Sequence, residues 1–157
     1  MYRKLAILLF SLSLVLVSSS CGKNPLGPVG NQGENVLAAV RDLAKAYERR
    51  DLDTFMEKVS TAYPDREAFR TSVEKVFSNY QTIHFKLHYT KMLVMIQDKG
   101  NIKATFTWEG EWKSSGGKIV KDGARVTLVL DPGGYKLLAI EGKNPYLPSD
   151  KPIPARE

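Results

Sequence analysis

Cysteine is nearly missing from this sequence: among 157 residues there is one, Cys21. No intrachain disulfide and no cysteine-metal cluster can brace the fold, so a body of this size must be held by its apolar core. Histidine is almost as scarce, with His84 and His88 alone. Two histidines and no second cysteine cannot supply a Ser-His-Asp set or zinc-ligand spacing, and no phosphate-cradling glycine loop accompanies them. No apolar run reaches the roughly 20 residues needed to cross a bilayer core as a helix. The longest, Leu5 to Val17, is interrupted by Ser11 and Ser13. Basic residues outnumber acidic ones, for a net charge of +6, but past the first residues they stand adjacent only at Arg49-Arg50. That scatter excludes a nucleic-acid-binding stripe and leaves a mild attraction to anionic lipid headgroups.

What is present at the start has an order of its own. Met1 to Lys4 carries Arg3 and Lys4 and no acid, the short apolar stretch follows, and Ser18, Ser19 and Ser20 lead straight into Cys21. Basic start, apolar core and small residues together make a secretory signal, not a membrane anchor. The box Val17-Ser18-Ser19-Ser20-Cys21 resembles the cleavage site of bacterial lipoprotein precursors, with Ser18 where leucine is usual. The resemblance implies cleavage before Cys21 and lipid on its thiol, which would use up an otherwise unpaired cysteine. Without lipidation a soluble periplasmic protein would result. Gly22 after the cysteine implies, by the same resemblance, the outer membrane, with the protein in the cell envelope facing the periplasm. The chain then divides into a signal peptide at 1–20, a Gly/Pro/Asn-rich flexible tether at 21–33, a folded domain at 34–143 and a Pro-rich tail at 144–157.

Within the domain, Val36, Leu37, Val40, Leu43, Ala44 and Tyr47 recur at the spacing of one helical face. Asp51 offers an N-cap for a second, shorter helix through Leu52, Phe55, Met56 and Val59. After the break at Pro64, Asp65 can cap a third helix, in which Phe69, Val73, Val76, Phe77 and Tyr80 share a side. Beyond Tyr80 the period changes to two. Ile83, Phe85, Leu87 and Tyr89 are odd-numbered and Met92, Val94 and Ile96 even-numbered, so a bulge or a strand break is expected near Thr90 and Lys91. Ile102, Ala104, Phe106, Trp108 and Trp112 alternate with polar residues in a strand buried on one face. Turn-rich links at 98–101, 114–117 and 132–134 make the sheet antiparallel, its last strands centred on Val126–Leu130 and Tyr135–Ile140. Pro145, Pro148, Pro152 and Pro154 keep the tail out of a sheet interior, leaving it extended and mobile or a docking peptide for a partner.

Helices followed by hairpin-linked strands predict an α+β domain, a curved antiparallel sheet packed on N-terminal helices. The stretch Arg49 to Phe55 resembles the turn between the first two helices of the nuclear transport factor 2-like superfamily, also called SnoaL-like or ketosteroid-isomerase-like. Gly123 to Leu130 with Gly133 to Leu137 resembles that superfamily's final hairpin. The resemblance covers about Glu34 to Lys143 and implies a cystatin-like cone with a pocket between sheet and helices. One departure stands out: the short strand that precedes the third helix in the superfamily has little room between Ser60 and Asp65.

Catalysis finds few residues to use. Enzymes of the resembled fold move protons with an acid or histidine inside the cone, yet the face from Ile102 to Trp112 carries no carboxylate, because Glu109 and Glu111 fall on the opposite parity. His84 and His88 share their strand face with Lys86, which marks that side as solvated and unsuited to a metal. No catalytic residue, metal ligand or cofactor is assigned. Phe55, Phe69, Phe77, Phe106, Trp108 and Trp112 either form the core or line an apolar pocket. The leading expectation is a lipid-anchored, non-catalytic binding domain that takes an envelope protein or a small apolar ligand. The alternative is an isomerase- or dehydratase-like enzyme with Asp65 as base and Tyr63 or Tyr80 as donor. A third possibility is a homodimer through Lys103, Thr105, Thr107 and Glu109 on the outer sheet face.

Overall fold

The computed structural model describes residues 29–96 and 100–149, with the backbone alone for 29–31 and 89–94. The expected signal peptide and Cys21 lie outside the described residues.

Three helices precede four strands: α1 (Val29–Glu48), α2 (Leu52–Glu57), α3 (Arg66–Asn79), β1 (Thr82–Ile96), β2 (Ile102–Lys113), β3 (Ile119–Leu130) and β4 (Leu137–Gly142). The expected apolar stripe of α1 is its buried face: Val36, Val40, Leu43, Ala44 and Tyr47 are all in the core. The helix starts at Val29, inside the segment read as tether. Elongating an already nucleated helix costs little per residue, so the buried turns carry the glycine-containing first turns with them. Arg50 ends this run in the left-handed region, at φ 55°. Asp51 then caps α2 as expected, its carboxylate accepting from the Thr54 amide at 3.0 Å and the Thr54 hydroxyl at 2.7 Å.

Asp65 behaves differently. It occupies the N-cap position of α3, but at φ 47° and ψ 43° it makes no side-chain cap bond. A cap needs extended backbone to swing the carboxylate over the first amides, and a left-handed residue does not provide it. In this region Arg66 donates to the Met56 carbonyl at 2.9 Å, which ties the start of α3 to α2.

The four strands form one antiparallel meander, β1-β2-β3-β4. The parity slip in β1 is a bulge within a continuous strand. His88 pairs with Thr107 and Leu93 with Thr105, so five steps of β1 answer two of β2, and an odd surplus turns the side chains over. The short strand of the resembled superfamily is reduced to one parallel bridge, Val59 to Leu137, with Ser60 N donating to Leu137 O at 2.9 Å and Leu137 N to Lys58 O at 2.8 Å. Two backbone bonds suffice to cover the outer edge of β4 at this point, which a free edge would leave open to pairing.

The core lies between the three helices and the inner face of the sheet. It continues past the expected domain end at 143: Tyr146 is 1% exposed. The prolines do exclude 144–149 from the sheet, but an aromatic side chain among them buries enough apolar area to dock the segment as coil. The tail expected to be mobile is therefore packed through Ser149. Among the described residues no helix is long and apolar enough to cross a membrane.

Candidate functional site

The six aromatics proposed as pocket lining, Phe55, Phe69, Phe77, Phe106, Trp108 and Trp112, are 0–9% exposed and belong to the core. Tyr146 of the tail packs against two of them, Phe55 and Phe69. The Tyr146 ring stands edge-on to Tyr47 at 5.1 Å and to Phe55 at 5.0 Å, and stacks on Phe85 at 5.8 Å. Phe85 stacks in turn on Trp108 at 5.6 Å. Below them runs a buried relay, in which Trp112 Nε1 donates to Tyr47 Oη at 2.9 Å and Tyr47 Oη donates to the Tyr146 carbonyl at 2.8 Å. Burial drives the Tyr47 phenol far above its ordinary pKa, more than the Trp112 bond lowers it. Tyr47 therefore stays a neutral donor and is not poised to release a proton.

One acid joins this interior, and it is not among those expected. Asp122 of β3 is 2% exposed and is the buried charged residue among the described ones. Its carboxylate accepts from Lys143 Nζ, from the Gly123 amide at 2.8 Å, and from the Ser149 amide and hydroxyl at 3.2 and 3.1 Å. Burial pushes its pKa up, but the bonds from Lys143, Ser149 and Gly123 and the Lys143 charge outweigh burial and hold it below the ordinary range. The sequence carried a signal for it: Val120, Asp122, Ala124, Val126 and Leu128 share a parity. Reading the strand from Val126 hid that signal.

Asp122 also lines an open hollow of about 480 Å³. Phe85, Gly110 and Asp122 are register partners in one row across β1, β2 and β3. The rows on either side are His84, Glu111, Lys121 and Lys86, Glu109, Gly123. Glu48 closes one end, its carboxylate accepting from the Phe85 amide at 2.7 Å. Gly110 has to be glycine because the Trp112 indole lies on it: a Cβ would be 2.2 Å from the ring. Two acids of the hollow meet basic side chains, Glu111 with Lys121 at 2.9 Å and Glu109 with His88 Nε2 within 3.1 Å, though the latter pair lacks hydrogen-bond alignment.

Asp65, the alternative's base, is exposed and does not line this hollow. That removes it from any enclosed site. Tyr63, its suggested donor, is half-buried against Phe69 at 4.8 Å, with its phenol raised by burial. His84 and Lys86 are exposed together, as their shared strand face implied. Among the described residues no group of three His, Cys, Asp or Glu could hold a metal.

A protein of the nuclear transport factor 2-like superfamily from Salmonella enterica superposes with a TM-score of 0.58 at 10% identity, over 82% of this chain and 99% of its own. The fold is nuclear transport factor 2-like. A candidate dehydratase of that family from Streptomyces avermitilis matches at TM-score 0.57 and 22% identity, covering 71% of this chain and 94% of its own. A candidate aromatic ring hydroxylase from Novosphingobium aromaticivorans reaches TM-score 0.63 at 14% identity, over 70% and 86%. No protein-family model matches the chain, and no curated protein matches it in sequence. The nuclear transport factor 2-like cone implied by the sequence resemblance is thus the fold observed, with its single-bridge strand at Val59 and Tyr146 buried in its interior.

Proposed function

We propose that this chain is a lipoprotein of the bacterial envelope, anchored through Cys21, whose nuclear transport factor 2-like domain binds and does not catalyse. The observation that carries the non-catalytic half is the state of Asp122. A general base must have a lone pair free for the substrate's proton, whereas this carboxylate is engaged by Lys143, Ser149 and Gly123. Tyr47, another buried ionisable group, is committed as donor to Tyr146. The anchored half is supported by the order of residues from Arg3 to Cys21. An envelope protein or a small apolar ligand remains the class of partner.

The candidate dehydratase and hydroxylase among the structural neighbours favour an enzymatic reading. In this chain Asp122 is the buried acid such a reading could turn to, since Asp65 is exposed. Expression in a lipoprotein-processing host tests the anchored reading. Mature protein should begin at Cys21, carry the mass of its acyl chains and fractionate with membranes, while Cys21→Ser should be released from them. Wild-type protein recovered with its leader attached in the cytosol would overturn that reading.

A further inference from the structure

Residues 144–149 form neither helix nor strand, yet they are held like a bound peptide. Tyr146 puts one aromatic ring into a cage of Tyr47, Phe55, Phe69 and Phe85, with centroid distances of 5.0 to 6.5 Å. Its carbonyl accepts from Tyr47 Oη at 2.8 Å. The ends of the segment meet at one group: Lys143 and Ser149 both bond Asp122. At the near end the chain leaves β4 through Gly142, at φ 96°, where glycine allows rotations closed to other residues. Among the described residues the segment comes after the last strand, β4, and no helix or strand is formed by it.

We propose that 144–149 is a strap that opens, with Asp122 as its latch, and that the cage beneath it receives a tyrosine-bearing segment of a partner peptide. The ligand class follows from what the strap itself presents: a flat aromatic ring next to an amide carbonyl, flanked by prolines that keep the backbone out of a sheet. Tyr47, held as a donor by Trp112, reads the carbonyl, and Phe85 reads the ring face. Closed, the strap competes with any such peptide at high local concentration. Apparent affinity in trans is reduced by the fraction of molecules that are open. The inference rests on the binding half of the proposed function and is independent of the anchor.

Hydrogen exchange on the intact protein tests the opening. The Tyr146 and Ser149 amides should exchange at least about tenfold faster than those of β2 and β3, as local opening does. In Ser149→Ala, which loses one hydroxyl bond to Asp122, strap exchange should rise by a further factor of about 3 to 10, corresponding to one modest hydrogen bond, with β2 unchanged. Asp122→Asn should open it more. N-acetyl-tyrosinamide should bind Ser149→Ala more tightly than wild type by the same factor as the gain in opening. Strap amides that exchange only together with β2 in both proteins would overturn the strap. An opened strap with no gain in N-acetyl-tyrosinamide binding would overturn the ligand. Neither result touches the membrane fractionation of Cys21, so the anchored reading fails or stands separately.

Discussion

Tyr47 and Asp122 show how single residues hold this interior. The Tyr47 hydroxyl serves two partners at once, accepting from Trp112 and donating to Tyr146. Tyr47→Phe keeps the ring contacts but strands a buried indole N–H and a carbonyl, which costs about 1–3 kcal/mol. Urea unfolding should show that loss as a lower midpoint with an unchanged slope. Asp122 sets a pH dependence. Its folded pKa is depressed, so the unfolded chain binds the proton more readily, and the stability it contributes is present above the ordinary carboxylate pKa of about 4. That contribution is lost as pH falls through the lower folded value. Thermal melts of wild type should therefore drop steeply in acid, and Asp122→Asn, which cannot ionise, should show a flatter acid limb from a lower starting point.

Elements meet here through small residues and irregularities. Gly110 lines the hollow across β1, β2 and β3 and leaves room for the Trp112 indole. Gly110→Ala would place a methyl inside that ring's volume and force the indole or the β2 backbone to shift, an overpacking cost of about 1–3 kcal/mol. A lowered midpoint in denaturant, with Trp fluorescence altered in the native baseline, checks it. The bulge between His88 and Leu93 belongs to the same scale. It absorbs the change of parity, so one long strand pairs with β2 on both sides of the irregularity.

At the scale of the molecule, the outer sheet face satisfies itself. Thr105 and Thr127 share a hydroxyl bond of 2.7 Å, Lys103 reaches Glu141 at 2.6 Å and Glu111 reaches Lys121 at 2.9 Å. A homodimer through Lys103, Thr105, Thr107 and Glu109 would gain little from Lys103 and Thr105, which are already paired across strands. Light scattering over a wide concentration range should therefore give a monomer mass. A dimer that dissociates on Thr107→Arg would restore that face as an interface.

The order of helices and strands, the buried stripe of α1, the Asp51 cap and the parity slip in β1 could all be read from residue spacing, because each is a local period or a local bond. Asp65 escaped that reading, since its side chain depends on a backbone angle that Pro64-Asp65 does not dictate. Asp122 and Tyr146 escaped it for another reason. An acid within an apolar parity, or a tyrosine among prolines, looks solvent-facing until its partner arrives from elsewhere in the chain, and those partners lie 21 residues on for Lys143 and 99 residues back for Tyr47. By itself the sequence determined an α+β layering of helices on an antiparallel sheet, through hydrophobic periods that need a partner layer to be buried, and its resemblance to the superfamily implied the cone. Tertiary structure alone decided that Tyr146 of the tail is buried inside that cone, because burying a charge and a ring there is favourable only once distant donors converge on them.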